Sequence, residues 1–200
     1  MRIVLTFAAI LAAVVSHSAS AQQRHWGITP EIGFSHFHGT ARDETTNPEV
    51  SAGPSPSTSV GFRLDREIGR VRLGITLIYE ETGLVEGNSD ISVTANNVLK
   101  LLGLHPELSA AVLRLGRASV RAHAGAAIDK WSPADEPSRT RFGLLAGLTL
   151  ESPLSSGANL SIRWEGTSSR SILAEDDLPA GFELHNTFHS RLGLGIRLGL

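Results

Sequence analysis

The sequence predicts an all-β fold, an eight-stranded antiparallel up-and-down transmembrane β-barrel, and three observations support it. Apolar and polar residues alternate in separate segments, as in strands whose two faces meet different surroundings. Long and short connections alternate between these segments. The clearest alternation fills the last fifteen residues, 186–200, where one face is apolar except for Asn186 and Ser190 and the other holds mainly glycine and arginine.

The N-terminus has the features of a secretory signal peptide. Arg2 gives a positive start, residues 3–15 are an apolar run, and Ala19-Ser20-Ala21 is an A-x-A cleavage site. We therefore expect a signal peptide at 1–21 and one mature barrel domain at 22–200, rather than a buried N-terminal helix. The chain has no cysteine, which excludes disulfides and a lipid attached to a lipobox cysteine.

Composition narrows the class of the mature domain. It contains no run of ~18 apolar residues, so a membrane-spanning helix is not expected. The formal net charge of the whole chain is −2, which argues against nucleic acid as a partner. Only Lys100 and Lys130 of the 18 basic residues are lysine. The planar fork of arginine suits crowded pairing with carboxylates, as in a packed polar interior.

Seven segments alternate with the period of a strand, and a tilted spanning strand needs ~9–11 residues. In chain order they are residues 26–35, 60–65, 70–80, 119–129, 141–151, 160–165 and 186–200.

The remaining segment, 97–114, is ambiguous. Pro106 and Glu107 before an apolar run, with Gly116 after it, favour a helix on local chemistry alone. A single-chain bacterial barrel needs an even number of strands, and an open edge is unfavourable in lipid. We therefore expect a strand here, with Pro106 at a bulge.

The predicted connections differ in length in a regular way, as in outer-membrane barrels with both termini in the periplasm. The long connections are 39–57, 81–97, 130–139 and 170–185, and the short ones are 66–69, 115–117 and 152–157.

Several short motifs, in order, carry a resemblance to a known family. They are Pro30-Glu31-Ile32-Gly33, His105-Pro106-Glu107-Leu108, Ala124-Gly125-Ala126, Gly143-Leu144-Leu145-Ala146-Gly147 and Leu194-Gly195-Ile196-Arg197-Leu198. With them, residues 22–200 resemble the small eight-stranded outer-membrane β-barrel proteins of diderm bacteria. The family carries a similar proline in its fourth strand, which supports a strand at 97–114. It usually ends in an aromatic residue, where this chain has Leu200.

The resemblance implies an integral outer-membrane protein with a structural or surface-interaction role through its extracellular loops. Expected partners are outer-membrane lipids, lipopolysaccharide and, during biogenesis, the barrel-assembly machinery. We expect a monomer, no cofactor and no enzymatic activity.

The polar face of each alternating segment predicts a set of charged side chains inside the barrel. We expect them to pair as a plug of ion pairs and hydrogen bonds, because unpaired buried charges are unfavourable; a narrow polar pore is the alternative. The set is Glu31, Arg63, Asp65, Arg72, Glu80, Glu107, Arg121, His123, Arg141, Glu151, Arg163, Glu165, Arg191 and Arg197.

Two other functional classes fit the sequence less well. A soluble lipocalin-like ligand-binding barrel would place the apolar parity inside. A lipid-modifying barrel enzyme would need a nucleophile and base on one face, but the adjacent residues His189 and Ser190 point to opposite faces.

Few of the remaining residues have the spacing of a metal site. His36 with His38, or His185 with His189, offers only two ligands, and residues 175–177 form an acidic loop that could hold divalent cations. We expect no metal site. The aromatic residues Trp26, Tyr79, Trp131 and Trp164 suit an interfacial belt, although Trp164 also suits mid-strand lipid contact.

Overall fold

The computed structural model describes residues 25–39, 41–43, 50–87, 92–134, 137–173 and 182–200. The expected signal peptide 1–21 and the acidic segment 175–177 lie outside these ranges. Among the described residues, no helix has the length and apolar character needed to cross a membrane.

The described residues form eleven strands. These are β1 (Trp26–His38), β2 (Ala41–Asp43), β3 (Val50–Pro54), β4 (Ser57–Ile68), β5 (Val71–Gly87), β6 (Ser92–Leu115), β7 (Ala118–Pro133), β8 (Arg139–Ser155), β9 (Ala158–Ser169), β10 (Phe182–Leu184) and β11 (Thr187–Gly199).

Eight of these strands close into a ring. Its order is β1, β4, β5, β6, β7, β8, β9 and β11, every neighbouring pair is antiparallel, and β11 pairs with β1. The predicted eight-stranded antiparallel barrel is therefore confirmed.

The ambiguous segment lies within β6, so the strand interpretation is correct. The expected bulge at Pro106 is wrong, because Pro106 pairs with Ile75 in unbroken register. The register shift between β6 and β7 lies further on, between Ala111 and Leu113.

The register around the ring fixes the tilt of the strands. A path of cross-strand partners that leaves β1 at Trp26 returns to β1 at His36, ten residues further along. With strands ~4.8 Å apart and a rise of ~3.3 Å per residue, this stagger gives a tilt of about 40°. Ten residues of β1 then cover about 25 Å along the barrel axis, the height of the apolar band of a transmembrane barrel.

The outer surface over this height is apolar. Large exposed residues include Ile32, Phe34, Phe62, Leu64, Leu73, Ile75, Leu77, Leu104, Leu108, Leu144, Leu148, Ile162, Leu192 and Leu194. Arginines and carboxylates occupy the inner parity. The lipocalin-like interpretation, which requires an apolar interior, is therefore wrong.

Several strands run past the predicted segments at the end with the long connections. β5 continues to Gly87 and pairs there with Ser92 of β6, so most of the predicted loop 81–97 is a paired ribbon. β3 joins the edge of this ribbon through β5, β2 pairs with β3, and β10 pairs with β2. The first and last long connections thus add short strands to the sheet.

A small apolar core lies inside the barrel at this end. It contains Phe37, Leu99, Leu101, Trp131 and Ile172, and Leu84, Val98 and Leu173 pack against it. The prediction that Trp131 belongs to the interfacial belt is wrong, since only 2% of it is exposed and its ring contacts that of Phe37 edge-on at 5.7 Å. Trp26, Tyr79 and Trp164 are exposed on the outer surface.

Candidate functional site

The interior of the ring holds the candidate site. Thirteen of the fourteen side chains proposed for the lumen are buried, and Arg141 is half-buried. They come from all eight ring strands, because the inward parity of each strand faces the same enclosed space. Their contacts form three groups along the axis.

The first group lies toward the short turns. Asp65 lies between two arginines: Arg197 donates from Nη2 to Oδ1 at 2.6 Å, and Arg72 Nε lies 3.2 Å from the same oxygen. Arg72 also donates to Glu151 Oε1 at 2.6 Å. Four charges from β4, β5, β8 and β11 therefore alternate in sign across the lumen. Arg121 donates instead to the hydroxyl and carbonyl oxygens of Ser109.

The second group crosses the middle of the barrel and centres on Arg163. Its guanidinium donates to both carboxylate oxygens of Glu107, with Nη1 at 3.1 Å from Oε1, and to Glu165 Oε2 at 2.8 and 2.9 Å. Arg63 lies nearby and donates to the hydroxyls of Thr29 and Ser161. One arginine thereby joins carboxylates from β6 and β9.

Arg191 extends the second group toward β1. Its Nη1 donates to Glu31 Oε1 at 2.7 Å and lies 3.6 Å from Glu165 Oε1, while its Nε donates to Ser59 Oγ at 2.7 Å. A Cβ at Gly33 would lie 2.6 Å from Arg191 Nε, so glycine here provides the room for the guanidinium.

The third group lies toward the long connections. Ser35 donates to Glu80 Oε2 at 2.7 Å, Ser57 also donates to this carboxylate, and His189 Nε2 lies 3.7 Å from it. The ring of His189 stacks on Phe37 at 4.5 Å, which joins the polar interior to the apolar core above it.

The structure adds buried residues that the predicted set omitted. His105 Nε2 lies 2.9 Å from Asp129 Oδ1, and Thr149 Oγ1 lies 3.4 Å from Nδ1 of the predicted lumen residue His123. His105 and Asp129 lie on the inward parity, so the same alternation could have identified them. The apolar residue Leu101 is fully buried on the same face of β6, and no polar signal marks it.

Among the described residues, Arg141 contacts backbone carbonyl oxygens and not the ionic network. Its Nε donates to the carbonyl oxygen of Ser171 at 2.6 Å, and Nη2 donates to that of Leu173 at 3.4 Å. Arg139 donates to the carbonyl of Ile172 at 3.3 Å. These two arginines hold the start of the last long connection over the barrel mouth.

The charges of the interior nearly balance. Among the described residues, seven carboxylates and six guanidinium groups are buried there, together with three histidines. Glu107, His123 and Glu165 offer ligand atoms within 4.8 Å of one another, as a metal site requires. Arg163 already contacts both carboxylates, so a cation would have to displace its guanidinium.

His189 and Ser190 do not converge as a base and a nucleophile would. His189 is buried inside the barrel, while Ser190 accepts a hydrogen bond from the exposed Trp164 on the outer surface, at 3.1 Å. The side chains therefore point to opposite sides of β11. His36 and His38 are exposed on the outer surface with ring centroids 4.3 Å apart.

No protein-family model matches the sequence, and no curated protein matches it. Solved structures do resemble the fold. Neisserial surface protein A, NspA, has 11% identity and a TM-score of 0.59, with 88% of this chain and 97% of that chain covered. The outer membrane protein OprG from Pseudomonas aeruginosa has 10% identity and a TM-score of 0.56, with coverages of 88% and 96%.

A third similar structure is the outer membrane protein AlkL in lipid bilayers. It has 13% identity and a TM-score of 0.57, and the match covers 92% of this chain and 94% of that chain. The closed ring of eight antiparallel strands agrees with these neighbours. The chain therefore has the fold of the eight-stranded outer-membrane β-barrel proteins that its sequence resembles.

Proposed function

We propose that this chain is an integral outer-membrane protein with a closed lumen, whose role is structural or surface-interactive through its long-connection end. The apolar band of about 25 Å supports a membrane location, because hydrocarbon is the solvent in which such a surface is stable. The ribbon of β5 and β6 and the added strands β2, β3 and β10 extend the sheet at the end proposed to face outward.

The observation that carries the closed lumen is the burial of Arg163 and Arg191. Their exposed fractions are 1% and 0%. Together they contact carboxylates or hydroxyls from β1, β4, β6 and β9. Guanidinium groups that reach carboxylates on other strands support a packed polar core rather than an open pore.

The location proposal carries further expectations. A signal peptide at 1–21 would direct export, the barrel-assembly machinery would insert the chain, and the outer surface would contact membrane lipids and lipopolysaccharide. We propose a monomer, since the ring closes within one chain and pairs every barrel strand on both sides.

Planar-bilayer recording tests the closed lumen. We expect the inserted protein to show no steady large conductance, because the second group of charged side chains lies across the barrel axis. The variant E107A/R163A/E165A should raise ion flow in the same bilayers, while E81A/K100A, which removes an exposed ion pair outside the lumen, should not. A steady large conductance of the unaltered protein would support the polar pore instead.

Cell fractionation tests the compartment separately. The protein should sediment with outer membranes and migrate faster on a detergent gel when it is not heated. Recovery in the soluble periplasmic fraction would contradict the membrane proposal.

A further inference from the structure

An apolar groove crosses the outer surface near the short-turn end of the barrel. It has a volume of about 610 Å³ and runs over β4, β5, β6 and β7. Its floor and walls include Leu64, Leu73, Pro106, Leu108 and Ala124. Trp26 and Arg66 lie at the end of the groove that is opposite Ala124. The groove forms because the small side chains of Pro106 and Ala124 lie between the longer side chains of leucines.

The groove descends from the rim toward the middle of the apolar band. Trp26, Arg66, Leu73, Leu108 and Ala124 are successive cross-strand partners. At a strand tilt of about 40°, each step to the next strand changes the depth by about 3 Å, so Ala124 lies about 12 Å deeper than Trp26. One end therefore lies at the membrane interface and the other in the hydrocarbon.

The interfacial end carries the exposed guanidinium of Arg66. Arg66 points outward, and its guanidinium carbon lies 5.4 Å from the centre of the Trp26 ring. Among the described residues, no carboxylate forms an ion pair with Arg66. The neighbouring turns add the exposed Arg70, Arg114 and Arg117, while the nearby Glu67 lies 3.8 Å from Arg72.

We propose that this groove is a binding site for an anionic glycerophospholipid of the membrane leaflet at the short-turn end. The lipid phosphate pairs with Arg66, whose guanidinium is held by Trp26, and one acyl chain lies in the groove toward Ala124. A planar guanidinium matches a phosphate in two hydrogen bonds, and the apolar floor matches a hydrocarbon chain. A zwitterionic lipid fits the charge less well, because its ammonium group would lie near the guanidinium of Arg66.

Native mass spectrometry of the full barrel tests this site. The protein is released from micelles that contain phosphatidylglycerol and phosphatidylethanolamine in equal amounts. We expect the unaltered barrel to retain phosphatidylglycerol preferentially. Arg66→Gln should lower that retention by about fivefold, the size of one basic residue acting on an anionic lipid.

Two further variants make the result specific. Arg170→Gln removes the same charge at an exposed position at the opposite end and should retain phosphatidylglycerol like the unaltered barrel. Ala124→Phe fills the groove from an exposed position, leaves Arg66 in place, and should also lower retention. Heat-modifiable migration on a gel checks that each variant is folded.

The proposal is overturned if the unaltered barrel retains both lipids equally, if Arg66→Gln matches Arg170→Gln, or if Ala124→Phe retains phosphatidylglycerol fully. Because the assay uses purified protein in micelles, these outcomes are independent of conductance and cellular location. Failure of the lipid site is therefore distinguishable from failure of the proposed function.

Discussion

Single arginines serve several partners each in the interior of this barrel. Arg163 joins Glu107 and Glu165, and Arg191 joins Glu31, Ser59 and Glu165. Removing Arg163 takes away the arginine that contacts Glu107 and leaves Glu165 with the longer 3.6 Å contact to Arg191. The penalty for an unpaired buried charge is larger than the net contribution of the pair itself.

Arg163→Met should therefore lower the free energy of unfolding by about 3–5 kcal/mol. Urea titration of the protein in lipid vesicles measures this loss. Arg170→Met, at an exposed position, should change the same quantity by less than about 0.5 kcal/mol. Equal effects of the two variants would show that the Arg163 pairs contribute nothing. E107Q/R163M/E165Q should recover part of the loss, since it removes the stranded charges.

Parity predicts which charged residues lie inside, but not their pairing. Glu31 and Arg191 are 160 positions apart, and Glu107 and Arg163 are 56 apart. Residues so far apart in the sequence come into contact only when the ring of strands closes in a particular register. Leu101 and Trp131 also lie on the inward face, but the predicted interior set held only polar residues. Nothing in the alternation indicates that a small apolar core lies inside the barrel.

At the scale of the strands, the backbones of β6 and β7 approach so closely that position 125 requires glycine. A Cβ at Gly125 would fall on the carbonyl oxygen of Pro106 and lie 2.9 Å from Glu107 Cα. Backbone atoms cannot rotate away as a flexible side chain does. A larger residue would therefore push the two strands apart.

Gly125→Ala should lower the free energy of unfolding by about 1–3 kcal/mol, the usual cost of overpacking. Equilibrium unfolding in the same lipid vesicles checks this value. Ala126→Ser, one position along β7 on the exposed face, is the control and should be near neutral. A neutral Gly125→Ala would contradict the close approach of β6 and β7.

The existence and order of the ring strands were predictable from the sequence, but their lengths were not. The clear alternation ends at Glu80 in β5, yet the strand continues to Gly87. Beyond the apolar band both faces meet water or protein, so the chemical contrast that marks a strand is lost. The register shift between Thr82 and Leu84 breaks the parity further.

For the whole molecule, the apolar band sets where a charge is tolerated. Along the axis, Leu148 lies about 11 Å from the level of Trp26, close to the middle of a band about 25 Å high. Leu154, on the same strand, lies next to the short turn at 156–157. Both leucines are exposed on the outer surface.

Leu148→Arg should lower the free energy of unfolding in lipid vesicles by about 2–4 kcal/mol, because the guanidinium would enter hydrocarbon. Leu154→Arg is the matched control and should cost about 0–1 kcal/mol near the interface. Reversible urea unfolding provides both values. If the two substitutions lower the free energy of unfolding equally, Leu148 does not lie in the hydrocarbon layer as the position of the apolar band predicts.

The pairing of β10 with β2 links two connections that are far apart in the sequence. Glu183 is paired in register with Arg42, β2 pairs in turn with β3, and β3 pairs with β5. A peptide inserted into either connection would disturb the strand pairing of the other. A molecule that binds one connection would also contact residues of the other. Sequence changes in either segment are therefore constrained by its pairing with the other.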